Sequence, residues 1–239
     1  MCIRDSFLVM LITSCETDIA INNIMQIDGE ISDLRKGTLY LKKIKDSILV
    51  NIDSFNINKN GKFNFKVEIN EPEIFHLYLN KDDGDSLNDR IIFFGEEGNI
   101  KIQTRLKTFE SSAFIKGSEN NDLLEEYKSI SRKFKSKNLD LYKLYFESQK
   151  NQNLIAMDSF GTEIDNLAKR KYLYKINFAN THSDKMISPY IIINEANNVN
   201  PNFLDTISKK MPDNIKNSKY GRSFFKLLER NKLQLMNKE

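Results

Sequence analysis

Tryptophan is absent from this chain of 239 residues, and there are only two cysteines, two histidines and four prolines. Each scarcity removes a class of chemistry. Both cysteines, Cys2 and Cys15, fall at the extreme N-terminus. Thiol exchange needs a thiolate attacker and a resolving partner, and nothing after residue 15 supplies either. A zinc centre needs three or four converging ligands. His76 and His182 are distant in sequence, and both are expected to be ordinary surface or half-buried histidines. Charge of one sign is also missing, because 36 Lys and Arg face 33 Asp and Glu for a net +3. That small excess, with no concentrated basic face, gives no reason to expect nucleic acid as a partner. There is no GxSxG, no phosphate-cradling glycine loop and no HExxH. The adjacent pairs Glu96-Glu97 and Glu125-Glu126 are not turned into an acid/base pair by strand or helix geometry. No catalytic residue, metal or cofactor is therefore expected. After Cys15, no apolar run approaches the length of a membrane span.

What the chain does contain begins with a short apolar run, Phe7–Ile12, leading into Ile12-Thr13-Ser14-Cys15. Apolar, small, small, cysteine behind an apolar segment resembles a bacterial lipobox. That resemblance implies residues 1–14 as a signal peptide, Cys15 as the lipid-bearing residue and a cell-envelope location, with the membrane reached through a lipid anchor. The competing reading is a truncated secretory signal, or a buried N-terminal strand. The first six residues, MCIRDS, lack the lysines usual before such a segment and read as foreign to it. Residues 15–23 are polar and read as a tether.

Hydrophobic periodicity then divides the remainder in two. From Asp46 to Ile69 the chain reads as two strands on a polar turn. Phe63, Phe65, Val67 and Ile69 keep one parity, and Asn60-Gly61 supplies the positive φ of a tight hairpin. Ile48, Val50 and Ile52 have the opposite parity to Phe55 and Ile57, which predicts a bulge near Asp53-Ser54. Further strands are expected at Met25–Ile31, Gly37–Leu41, Ile74–Leu79, Ile91–Phe94, Asn99–Thr104 and, less regularly, Phe109–Ile115. Ile91–Phe94 is continuously apolar and is expected to be buried on both sides. Beyond Gly117-Ser118 the period becomes helical. Leu123, Tyr127, Ile130, Phe134, Leu141 and Tyr145 form one stripe, and Phe160, Ile164, Leu167, Tyr174 and Phe178 a second. Shorter helices are expected over Pro189–Ala196 and Pro201–Met211, with a last one over Ser218–Lys232. The fold class is accordingly α+β. An N-terminal antiparallel β-sandwich, or partly open barrel, of about eight strands (24–117) is followed by an all-helical segment (118–239) packed on it.

Two further clusters admit a functional and a bland reading. Lys81–Asp89 gathers four aspartates, but their spacing misses the calcium-loop pattern, and a solvated hairpin loop is expected. Lys128, Arg132, Lys135 and Lys143 share one face of the first long helix. An anionic membrane could receive such a face, but an exposed solvated face is the expectation.

Several segments resemble one family. They are Ile27-Asp28-Gly29, Gly37-Thr38-Leu39-Tyr40-Leu41, Asp53-Ser54, Gly61-Lys62-Phe63-Asn64-Phe65, Ile115-Lys116-Gly117-Ser118-Glu119-Asn120 and Ser188-Pro189-Tyr190. The arrangement is similar to the N-terminal domain of unknown function in bacterial thiol-disulfide interchange lipoproteins, where it precedes a thioredoxin-like domain. No CxxC occurs here, so none of that family's catalytic positions can be carried over. The leading expectation is a non-catalytic, lipid-anchored envelope protein that binds or scaffolds an envelope partner. The alternative is the N-terminal part of a thiol-disulfide oxidoreductase whose thioredoxin-like domain lies beyond Glu239. A third reading is a small-ligand receptor with its pocket where strands meet helices.

Overall fold

Alternating apolar and polar side chains build eight strands among the residues that the structure, a computed structural model, describes: 23–81, 89–196 and 198–237. Cys15 and the aspartates Asp82, Asp83 and Asp85 lie outside the described residues. The strands are β1 (Ile24–Ser32), β2 (Gly37–Lys45), β3 (Ile48–Ile57), β4 (Lys62–Glu68), β5 (Glu73–Asn80), β6 (Asp89–Gly95), β7 (Gly98–Arg105) and β8 (Phe114–Lys116). They form two four-stranded sheets, ordered β4-β1-β7-β8 and β3-β2-β5-β6, that do not close into a barrel. Every pairing is antiparallel except β1 with β7, which runs parallel from Met25 opposite Gly98 to Ser32 opposite Arg105. Between the sheets lies a core of Met25, Ile27, Leu39, Leu41, Phe63, Phe65, Phe75, Leu77, Phe93, Ile100 and Ile102.

The hairpin expected at Asn60-Gly61 is not one. β3 belongs to one sheet and β4 to the other, so the Asn58–Gly61 segment crosses the edge of the sandwich. The tight hairpin sits one connection earlier, where Asp46 and Ser47 both take positive φ (49° and 68°) and Lys45 pairs with Ile48. Two consecutive positive φ values give the turn that matches strand twist. Gly61 also has positive φ (68°), but for a different reason. A Cβ there would lie 2.1 Å from the Ile31 carbonyl oxygen, and the Gly61 carbonyl accepts from the Ile31 N–H at 2.9 Å. The glycine lets the crossing chain lie against the end of β1. The bulge anticipated near Asp53-Ser54 falls beside it. Leu41 pairs with Asp53 and Lys42 with Asn51, leaving Ile52 as the extra residue. It turns Phe55 and Ile57 to the core but leaves Ile48 66% exposed. The irregular strand at Phe109–Ile115 reduces to β8, with buried Phe109 held by a 3-10 turn at Leu106–Thr108.

Six helices follow: α1 (Glu119–Lys150), α2 (Leu154–Thr181), α3 (Ile187–Glu195), α4 (Pro201–Lys210), α5 (Asp213–Lys216) and α6 (Lys219–Met236). Ser118 caps α1 by accepting from the Asn121 N–H at 3.0 Å. Asn153 and Ser218 do the same for α2 and α6. A single-turn α5 has no counterpart among the sequence expectations, being too short for any periodicity. A second core gathers Leu124, Tyr127, Ile176, Phe178, Ile187, Ile191, Ile192, Leu204, Ile207 and Phe224, together with Ile74 and Phe94 of the strands. β5 and β6 are thus apolar on both faces, as the continuous run at Ile91–Phe94 predicts. α1 and α2 form a long antiparallel pair. Between residues 128 and 166 only Leu141 and Ser148 are buried, so this distal part is a two-helix arm leaving the body.

Replacing Gly61 by Ala forces a side chain into left-handed backbone and against a carbonyl. Gly98 also has positive φ (110°), with nothing within 4 Å of its Cβ position. Gly98→Ala should therefore cost only the backbone strain of about 1–3 kcal/mol, and Gly61→Ala clearly more. Urea-unfolding midpoints of the two variants check the order.

Candidate binding crevice at the strand-helix joint

The helical layer is joined to the second sheet by side chains that satisfy backbone groups at its edge and end. The buried Ile74 N–H donates to Tyr220 Oη at 3.0 Å. The Phe94 N–H on edge strand β6 donates to Asn121 Oδ1 at 3.1 Å. Asn120 donates to Glu96 Oε2 (2.6 Å) and accepts from the Ile187 N–H (3.0 Å), tying α1 to both the β6–β7 turn and α3. An edge strand left open is a template for unwanted pairing, and here α1 covers it. The rings of Phe94, Tyr190 and Tyr220 meet edge-to-face, with centroids 5.3–6.0 Å apart. Burial, above all, pushes the Tyr220 phenol well above its ordinary range, so it remains neutral.

Beside this joint opens a crevice of about 620 Å³ between the β2–β3 hairpin, the β4–β5 connection and the start of α6. Ile44, Val50 and Ile52 make its apolar wall, and Lys45, Asp46 and Arg222 line it as well. Glu73, only 6% exposed, accepts from Lys43 Nζ at 2.6 Å and from Lys219 Nζ at 2.8 Å. Lys219 Nζ donates also to the Ile44 carbonyl at 2.6 Å. Glu71 accepts from the Lys219 N–H through both carboxylate oxygens (2.9 and 3.0 Å), an anion at a helix N-terminus where the backbone dipole favours it. Burying one carboxylate against two partly exposed ammonium groups makes a strut, since losing both lysines would leave Glu73 buried and unpaired. The charges in the floor hold the joint, while the wall and rim are open. The exposed Ile48, on the same face of β3 as Val50, extends the apolar wall along an edge strand with one row of backbone groups unpaired within its sheet, while Leu49 pairs with Ile44 on the other face. Such an arrangement can take an extended segment along the edge with side chains in the crevice.

The remaining sequence candidates fall elsewhere. His76 is buried rather than surface or half-buried. It lies on the outer face of β5, in register with Lys42 and Ile92, and its ring stacks on Tyr78 at 6.2 Å. Neither ring nitrogen has a hydrogen-bond partner. Desolvation, and then the Arg90 guanidinium, hold its pKa below the ordinary 6.5. His182 is half-buried against Phe178, with ring centroids 4.6 Å apart. Among the described residues no group of three His, Cys, Asp or Glu could hold a metal, and no helix is long and apolar enough to cross a membrane. Arg132, Lys135 and Lys143 are exposed, and Lys128 pairs with Glu125 at 2.8 Å. Sequence reasoning singled out neither the crevice nor Tyr220. The signal available was the run Glu71-Pro72-Glu73, whose acids meet a helix start distant in sequence.

The architecture is a β-sandwich with a helical layer on one sheet. Residues 25–124 match a family model described as "Domain of unknown function (DUF4369)". That span takes in nearly all of the two sheets, Gly117 and the capped start of α1. No curated protein matches the chain.

Two measurements probe the joint. Tyr220→Phe removes the acceptor of the buried Ile74 N–H and should destabilise by about 1–3 kcal/mol, read as a lower urea midpoint. His76 has a folded pKa below its unfolded one, so the unfolded chain takes up the proton first as pH falls. Its contribution is complete above about pH 6.5 and is lost on acidification below it. His76→Phe should flatten that acid limb of the stability profile, and an unchanged limb would remove the histidine as its source.

Proposed function

We propose that this protein is a non-catalytic, lipid-anchored component of the cell envelope that binds or scaffolds an envelope protein. The crevice carries the binding half of this reading. Its buried charges are engaged in holding sandwich to helices, whereas Ile44, Ile48, Val50 and Ile52 offer an apolar strip beside an open strand edge. A partner segment laid along β3 would gain backbone pairing from the edge and specificity from alternate side chains. The lipid half rests on Phe7–Ile12 and the lipobox-like Ile12-Thr13-Ser14-Cys15. Acyl chains would hold the body at a bilayer, and residues 15–23 would serve as the tether.

A second reading makes the chain the N-terminal part of a thiol-disulfide oxidoreductase lipoprotein, with its redox domain beyond Glu239. The resemblance of Gly37–Leu41, Gly61–Phe65 and Ile115–Asn120 to that family favours it, and those segments lie within the matched residues 25–124. The coding sequence downstream of Glu239 separates the two, since an open frame reaching a CxxC supports only the second.

Fatty-acid labelling of the expressed protein should be blocked by globomycin and disappear in Cys15→Ala. An unlabelled, freely released product would remove the anchor. A photo-crosslinking residue at Ile48 should give one discrete adduct in cells, and the same residue at exposed Glu163 none. Equal patterns at both positions would remove the crevice as the binding face.

A further inference from the structure

We infer that the outward face of α1 is a second membrane contact, one that rests on the surface of an anionic bilayer without help from acylation. Lys128, Arg132, Lys135, Leu139, Tyr142, Lys143, Phe146 and Lys150 follow one another at spacings of three or four residues, with Tyr142 and Lys143 side by side. They therefore form one stripe along the helix. This stripe is opposite the inward residues Tyr127, Phe134, Leu141 and Tyr145, which face α2 and the body. No acidic residue interrupts it. Over 128–150 the helix carries seven Lys or Arg and two acids, Asp140 and Glu147. The stripe runs for about 33 Å at the helical rise per residue.

Its distal half is apolar on the outside, which solvation alone does not explain. Leu139 is 71% exposed and Phe146 59%, and the Tyr142 and Phe146 rings stack on the surface at 6.3 Å. Just past the Asn151–Asn153 turn, Leu154 and Ile155 are 75% and 86% exposed at the same end of the arm. Large apolar side chains interleaved with lysines on one helical face are what the headgroup boundary accommodates. The rings and aliphatic groups enter the acyl edge, while the lysine stems reach back to the phosphates. The basic excess makes the complementary surface an anionic one. The same excess disfavours a second copy, because two such faces would bring like charges together. Nucleic acid would reward the lysines and rings but not Leu139, Leu154 and Ile155, since stacking needs planar groups.

The test uses the full chain bearing Cys15→Ser, so that acylation cannot contribute and the Phe7–Ile12 run is common to every sample. Co-sedimentation is measured with vesicles of phosphatidylcholine, with and without phosphatidylglycerol, at low and high salt. Parent protein should prefer the anionic vesicles and be released by salt. Lys135→Glu/Lys143→Glu/Lys150→Glu should lower partition onto them by about a hundredfold or more, from roughly fivefold per lysine. Lys135→Arg/Lys143→Arg/Lys150→Arg should bind like the parent. Leu139→Ser/Phe146→Ser should lose about tenfold or more. All these positions are exposed, so melting temperatures should stay with the parent's, and the arginine variant controls for any that do not. No anionic preference, or charge-reversed protein binding like the parent, overturns the inference. So does a parent dimer in vesicle-free sedimentation that Phe146→Ser dissolves, or equal affinity for a duplex oligonucleotide. None of these outcomes bears on Cys15, whose labelling is read separately.

Discussion

The apolar outer face of β5 and β6 is the constraint from which the rest follows. Ile74, Ile92 and Phe94 point away from the sandwich core, while Phe75, Leu77, Ile91 and Phe93 point into it. A sheet with one apolar face is content with one partner layer, but a sheet with two must be covered twice. The first sheet covers one side and the helices the other. The helical segment is thus an obligatory third layer of the strands, and the Phe94–Tyr190–Tyr220 contact marks where the layers interlock.

Covering an edge also creates a polar problem, because backbone groups taken out of water need partners. The chain meets it with side chains exchanged between helix starts and strands: Asn121 on Phe94 and Tyr220 on Ile74 from the helices, and Glu71 of the β4–β5 connection on the first N–H of α6. Two short segments singled out in the sequence take on meaning here. Ile115–Asn120 ends a strand, turns at Gly117 with φ 95°, caps α1 with Ser118 and presents Asn120 to both Glu96 and Ile187. Ser188-Pro189-Tyr190 opens α3, with Ser188 donating to the Ala179 carbonyl and Tyr190 on the aromatic contact.

Strands and long helices were legible in the sequence because their periodicities are local. Phe63 and Phe65, or Tyr127 and Phe134, announce a buried face within a few residues. Partner choice was not legible. Asn60-Gly61 is the stronger hairpin signal by composition, and Asp46-Ser47 makes the hairpin because Lys45 and Ile48 lie in one sheet while β4 pairs with β1. The parallel pairing of β1 with β7 left no local trace, since parity is the same in either direction. His76 alternates like a surface residue, and its burial beside Tyr78, Lys42 and Ile92 depends on strand partners that the local pattern does not name. The crevice needed Glu71 and Glu73 to meet Lys219, a meeting that only the tertiary structure reveals.

The parallel pairing has a consequence for how the chain acquires this form. Ile27 must find Ile100, whereas β2, β3, β5 and β6 meet through nearer neighbours. Contacts distant along the chain come at a larger loop-closure cost and slow folding. On a growing polypeptide, β1 emerges first and has one edge without its partner until β7 has been synthesised. Its first partner, β4, is made long before its second, so one edge of β1 stays open until nearly all the strands exist, and other chains could occupy it.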